Sequence, residues 1–323
     1  MIFPAKQQVE LVNFDQGEPG EGQVVIRTAL SLMSTGTENI VFNQLFEKGT
    51  GWASWGVFPF YPGYAAVGTV EAVGPGVTKV KVGDRVAVRM PHASHIQISE
   101  HECFPIPKEL SFDQAAWFAL GKITFHGARA AEYKPGDSVL IIGAGPIGQM
   151  SARWARACGA GRIIVIDSVA KRLDMAKAGG ATAVISKPAA EAREEILAAN
   201  HGELPHVVID STGHPVVFES ALSLVRAFGK VVIMGDTGTP SQQHLTCDVV
   251  NRGIHIVGAH DGHITAEWSQ PRIIQLFFEL VASGRISLDQ LNTHYFKPEE
   301  CVDAYGVVNR DRASTMGVLF KWS

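Results

Sequence analysis

The segment SVLIIGAGPIGQM, residues 138–150, restricts the fold more than any other part of the chain. Its continuous apolar run suits a strand buried on both faces. It leads straight into Gly143, Gly145 and Gly148 in G-x-G-x-x-G spacing, and the helical pattern PIGQMSARWARACGA follows and ends at Gly159. The next apolar run, RIIVID, ends in Asp167, about 20 residues beyond the last glycine, the spacing of a dinucleotide-binding unit. In such a unit Gly143 makes the tight turn, Gly145 lets the backbone approach a diphosphate, and Gly148 lets the helix pack closely on the strand. Pro146 suits the first helical position, Ile147 stands beside it, and the free N–H groups of the helix start favour the diphosphate. Asp167 would accept hydrogen bonds from the adenosine ribose and repel a 2′-phosphate. Ser168, not an arginine, follows it, which favours NAD over NADP; Lys171 and Arg172 soften that preference. The plainer alternative for the same residues is a glycine-rich turn in an unliganded α/β domain.

Beyond this unit, TAVIS, HVVIDSTG and KVVIMGDTG continue as buried strands, with VAKRLDMAKAGGA as a helix among them. Strands alternating with helices imply parallel βαβ units. The preceding half, from Gln23 to about Ile106, reads differently: QVVIRTAL, AAVGTVEAV and DRVAVRM are short valine-rich strands between Gly and Pro turns. They predict an antiparallel, barrel-like or sandwich-like body. An amphipathic helix in QPRIIQLFFELVASGRI and a final GVLFKWS close the chain.

The chain has 323 residues, which favours two domains. A hydrophobic content of 46 % with 19 % charged residues describes a well-buried globular protein. A net charge of −4 without runs of like charge argues against nucleic-acid or anionic-membrane partners. No apolar stretch reaches the roughly 18 residues that span a bilayer, and MIFPAKQQVELVNF lacks a secretory pattern. Cys103, Cys158, Cys247 and Cys301 are scattered and read as buried free thiols in a reducing cytoplasm.

Six segments then share an order and spacing: STGTEN (34–39), PGYAAVGTVEAVGPGVTKVKVGDRV (62–86), LSFDQAAWFALGKITFHGA (110–128), KPGDSVLIIGAGPIG (134–148), VVIDSTG (207–213) and the stretch 277–308. With them the chain resembles the alcohol dehydrogenase group of the medium-chain dehydrogenase/reductase superfamily. The resemblance implies a GroES-like, β-rich catalytic domain split by a Rossmann domain. The expected boundaries are 1–121 for the first catalytic part, 122–259 for the NAD-binding domain and 260–323 for the return, with the active site in the cleft. It also implies that Ser211, Thr212, Gly235 and Asp236 line the nicotinamide-ribose side, that VGAHDGH (257–263) meets the carboxamide, and that a homodimer forms through an edge strand in HLTCDVVNRGIHIVGA.

Zinc-dependent members hold their metal with cysteine, histidine and a further cysteine or acid. Here Thr35 stands at the cysteine, Tyr64 at the histidine and Ala65 at the neighbouring glutamate, while Ala119 to Gly121 offers no third ligand. The four-cysteine structural zinc lobe is also missing, so a zinc-free member is expected. Thr37 matches the family's hydroxyl that touches the substrate oxygen. Tyr64, His92 and Lys122 are the other candidates to steady or protonate that oxygen. Each has a bland alternative: a cap for Thr37, space-filling for Tyr64, loop surface for His92, and a snorkelling or Glu38-paired role for Lys122. Trp52, Trp55 and Phe58 form an aromatic loop that is either a substrate rim or a local core. The leading expectation is NAD-dependent hydride transfer to or from a secondary alcohol or ketone, with sugar-like, polyol and bulky hydroxyethyl compounds as the substrate range. A quinone or enone reductase and a non-catalytic NADH-binding protein are the alternatives.

Overall fold

The structure is a computed structural model that describes residues 1–322. Strand β1 (Gln23–Leu32) is the hub of the first body, pairing antiparallel with β2 (Ala66–Val73) through a bulged register. Strands β3 (Arg85–Val88), β4 (His95–Ser99) and β5 (Phe104–Pro105) complete its early part, β4 pairing back onto β1. Gly68 sits where a Cβ would lie 2.2 Å from the Arg27 carbonyl oxygen, so the β1–β2 crossing requires glycine. Helix α1 (Thr37–Asn43) and the single turn α2 (Gly51–Trp55) fill the long β1–β2 connection.

After the short α3 (Phe112–Ala115), helix α4 (Phe118–Ala131) joins the two bodies. Positions 121 and 122, the expected first boundary, fall within this single helix. Gly121 accepts the Trp154 indole N–H at 2.9 Å on its carbonyl, and a Cβ there would lie 2.5 Å from the Phe277 ring. The helix is therefore clamped by its neighbours, which fixes the direction of Lys122 one residue on.

The second body is a six-stranded parallel sheet: β6 (Ser138–Ile142), β7 (Arg162–Ile166), β8 (Ala183–Ile185), β9 (Val207–Asp210), β10 (Lys230–Ile233) and β11 (His255–Gly258). Its spatial order is β11-β10-β9-β6-β7-β8. Helices α5 (Pro146–Ala157), α6 (Ala170–Ala178), α7 (Arg193–Ala199), α8 (Pro215–Leu224) and α9 (Asp248–Arg252) connect the strands. The order reverses between β6 and β9, and ligands of such sheets bind beyond the strand ends at that point. β6 is buried at every residue, as its apolar run predicts.

Helix α10 (Gln270–Ala282) packs its Phe277 and Phe278 against α4. The chain then returns to the first sheet through β12 (Asn292–Phe296), α11 (Cys301–Arg310) and β13 (Gly317–Lys321). β13 pairs with β1, and β12 with β13 in parallel, an exception to the antiparallel expectation. The cysteine expectation is half corrected: all four thiols are free, but only Cys103 and Cys301 are buried, while Cys158 and Cys247 are exposed.

Candidate active site

The glycine loop lies at the switch point. Gly143 has φ +92°, a conformation natural to glycine, and a Cβ there would strike Thr212 and Ser211 from the neighbouring strand end. Gly148 is needed for packing: its Cβ would fall 1.8 Å from the Gly143 carbonyl oxygen. Gly145 differs. It caps α5 without a side-chain hydrogen bond, Pro146 begins the helix, and a Cβ at Gly145 would meet nothing within 4 Å. An open cradle at an uncapped helix start is what a diphosphate requires, so the residues fit a dinucleotide. Ile147 packs partly buried behind it.

Asp167 accepts from the Ala144 N–H at 2.7 Å and the Val169 N–H at 2.8 Å, which places its carboxylate beside the loop. Arg172 Nη1 stands 3.9 Å from it, while Nη2 donates to the carbonyls of Arg312 and Thr315. Arg172 thus ties α6 to the C-terminal return instead of being free for the nucleotide. Ser211 Oγ donates to the Ile142 and Gly143 carbonyls at 2.8 and 2.9 Å. Asp210 holds Thr212 through both its N–H and its hydroxyl at 2.8 Å. Gly235 packs on the Thr212–Gly213 backbone, where a Cβ would lie 2.1 Å from the Gly213 nitrogen. Burial raises the Asp236 carboxyl above its usual value, opposed by the nearby Trp52 indole.

On the opposite wall, Thr37 is the first residue of α1 and caps nothing. Its hydroxyl lies 3.5 Å from that of Tyr64, which donates to Ser34 Oγ. Burial pushes the Tyr64 phenol above its ordinary pKa, against the pull of Ser34, Thr37 and the cationic Arg89, so the phenol stays protonated at neutral pH. The Arg89 guanidinium carbon lies 4.9 Å from the centroid of the Tyr64 ring. Arg89 also pairs with Asp261 at 2.8 Å, and Asp261 pairs with Lys122 at 2.7 Å. Lys122 is only 2 % exposed, and burial lowers its pKa against the opposing effect of Asp261. Thr37, Tyr64 and Lys122 are therefore linked, but through Arg89 and Asp261.

Two expectations for this wall need correction. Lys122 does not pair with Glu38, whose carboxylate is taken by the Ser34 N–H at 2.7 Å, the Tyr305 hydroxyl at 2.5 Å and His92 at 3.3 Å. His92 is not loop surface and does not face an open cleft. It is 1 % exposed, held between Glu38 and Ser31 Oγ (2.7 Å) with its ring against Phe320. Part of the aromatic loop is packing: Trp52 and Phe58 lie against the Phe3–Phe42–Tyr305 cluster, while Trp55, 51 % exposed, meets Phe60 edge-on at 4.9 Å. The chain just before it touches the second body, with the Glu47 N–H donating to the Gly238 carbonyl at 2.8 Å.

Arg89 and Asp261 escaped the sequence-based list of site residues. Arg89 breaks the apolar run of β3 just past its end, and Asp261 lies in VGAHDGH, which the resemblance marked for the carboxamide only.

An alcohol dehydrogenase GroES-like domain matches residues 20–112, and a zinc-binding dehydrogenase domain matches residues 146–279. The chain belongs to the alcohol dehydrogenase-like medium-chain dehydrogenase/reductase superfamily. Among its superfamily relatives, the sorbitol dehydrogenase of Bacillus subtilis is 29 % identical over 76 % of this chain and 76 % of its own length. That of Homo sapiens is 26 % identical over 94 % of this chain and 91 % of its own. Among solved structures, 2R,3R-butanediol dehydrogenase from Bacillus subtilis superposes with a TM-score of 0.82 at 21 % identity, covering 99 % of this chain and 98 % of that one. An alcohol dehydrogenase from E. coli CFT073 complexed with NADH gives 0.83 at 20 % identity, covering 99 % and 98 %. At these identities the structures show the fold alone.

The zinc named in the second domain's description does not suit the residues present. Thr35, Tyr64, Ala65 and the apolar turn from Ala119 to Gly121 supply no thiolate, imidazole or carboxylate. Among the described residues no three His, Cys, Asp or Glu side chains gather where they could hold a metal ion.

Proposed function

We propose that the chain is an NAD-dependent oxidoreductase that transfers a hydride between the nicotinamide and a secondary alcohol or ketone, with protein hydroxyls in place of zinc. The observation that carries the reading is the Thr37–Tyr64 hydroxyl pair, 3.5 Å apart, on the wall where zinc-dependent relatives place their metal. Bound at Gly143–Gly148 and Asp167, the nicotinamide cofactor would supply or accept the hydride. Tyr64, kept protonated by burial, donates a hydrogen bond to the reacting oxygen, and Thr37 orients it. In the resting arrangement Ser34 Oγ accepts the phenol's hydrogen bond and fixes the ring. Glu38 and His92 lie behind as buried support rather than at the reacting oxygen.

Sorbitol and butanediol dehydrogenases among the similar proteins support a polyol or hydroxylated ketone as substrate class. The quinone or enone reductase reading finds support in a Pseudomonas syringae quinone oxidoreductase of TM-score 0.80, but Asp167 beside the loop speaks against the NADPH those enzymes mostly prefer. No helix among the described residues is long and apolar enough to cross a membrane, and we place the enzyme in the cytoplasm. A homodimer through the β11 edge completes the proposal. The test is a panel of polyols, secondary alcohols, ketones, enones and quinones with NAD(H) and NADP(H). Turnover of alcohols with NAD is expected; turnover of enones or quinones with NADPH alone would overturn the reading.

A further inference from the structure

Beside Tyr64, two cations share one anion. Asp261 Oδ1 is 2.7 Å from Lys122 Nζ, and its Oδ2 is 2.8 Å from Arg89 Nη2. The Asp261 carbonyl also accepts from Lys122 Nζ at 3.1 Å. Both carboxylate oxygens are thus used, and one positive charge is left over. The other acid near Tyr64, Glu38, is hydrogen-bonded by Ser34, Tyr305 and His92 and makes no ion pair with Arg89 or Lys122 among the described residues.

The leftover donors are visible. Arg89 Nη1 is buried and, among the described residues, has no hydrogen-bond partner. One helical turn after Lys122, His126 is 2 % exposed, and neither of its ring nitrogens has a hydrogen-bond partner among the described residues. A buried donor on a charged group is costly to leave unpaired. A planar guanidinium with an open N–H, lying over the Tyr64 ring, suits a carboxylate better than a neutral hydroxyl.

We infer that the substrate carries a carboxylate close to its reacting carbon, bound by Arg89 with Lys122, and that Asp261 holds these cations ready and competes for them. A neutral polyol would leave the excess charge unmatched. The inference rests on the proposed oxidoreductase reading and narrows its substrate to hydroxy or keto acids.

The test uses the full-length enzyme with NAD and two matched pairs, D-gluconate against D-sorbitol and D-xylonate against xylitol. Binding of each to the NADH complex is measured by calorimetry alongside turnover. The acid of each pair is expected to bind and react at least about tenfold better than its alditol, an advantage that added salt weakens. Arg89→Gln should lower the acid-to-alditol ratio of kcat/KM about 100-fold, and Arg89→Lys should restore part of it. Asp261→Asn should lower KM for the acid, a gain that a merely structural ion pair would not give. Preference for the alditols, or a ratio unmoved within threefold by both Arg89→Gln and Asp261→Asn, overturns the inference and leaves the oxidoreductase reading intact. Arg89-dependent binding of the acids without turnover of any compound upholds the anion site and overturns the oxidoreductase reading.

Discussion

A methyl group at Gly145 and one at Gly148 test the nucleotide loop in opposite ways. At Gly148 a Cβ would lie 1.8 Å from the Gly143 carbonyl oxygen, and ordinary contact begins at 3.4 Å. The obstacle is backbone, so the start of α5 must move away from β6. Such overpacking costs about 1–3 kcal/mol, and Gly148→Ala should lower Tm by several degrees. At Gly145 a Cβ meets nothing within 4 Å, and φ is −68°, which alanine adopts freely. Gly145→Ala should therefore leave the stability of the unliganded protein within about 1 kcal/mol of the parent. If a diphosphate occupies that space, the methyl displaces it, and a penalty of about 1–3 kcal/mol corresponds to a loss in NADH affinity of about 5- to 150-fold. Fluorescence titration of NADH with thermal melts of both variants separates the two effects. Unchanged NADH affinity in Gly145→Ala would refute the placement of the diphosphate.

Tyr64→Phe should lower kcat/KM by about 10²- to 10³-fold in steady-state assays while NADH affinity stays within twofold, because only the oxygen donor is lost. Burial, reinforced by Lys122, lowers the His126 pKa to about 4, below its ordinary 6.5. The unfolded chain then takes up a proton that the folded chain refuses, so stability should fall as pH drops from about 6.5 towards 4, by about 2 kcal/mol at pH 5. Denaturant melts of His126→Gln should show that part of the acid sensitivity removed. Phe228 and Val250 are 78 % and 86 % exposed beside the β11 edge. The double variant Phe228→Glu, Val250→Glu should sediment as a monomer where the parent sediments as a dimer.

The parallel body was legible because its strands are uninterrupted apolar runs and its glycines mark a turn only one geometry satisfies. β12 was not, because NTHYF is polar and aromatic and becomes a strand only by pairing with β13. Helix α8 escaped for a related reason: PVVFESALSL is apolar almost throughout, and its period is weak. Tyr64 stood out through the resemblance and not through its own surroundings. The Lys122–Asp261 pair spans 139 residues, so no local pattern announces it. The alternative that paired Glu38 with Lys122 fails because sequence context cannot reveal that His92 and Tyr305 converge on Glu38. MPHASH left His92 open between a cleft residue and loop surface, and only the approach of β1 and α1 buries it.

Metal content measured on catalytically active enzyme bears most directly on the mechanism. With Thr37 and Tyr64 holding the reacting oxygen, NAD-linked turnover should persist after exhaustive chelation, with zinc far below one ion per chain by elemental analysis. One zinc per chain, whose removal abolishes turnover and whose return restores it, would contradict the account.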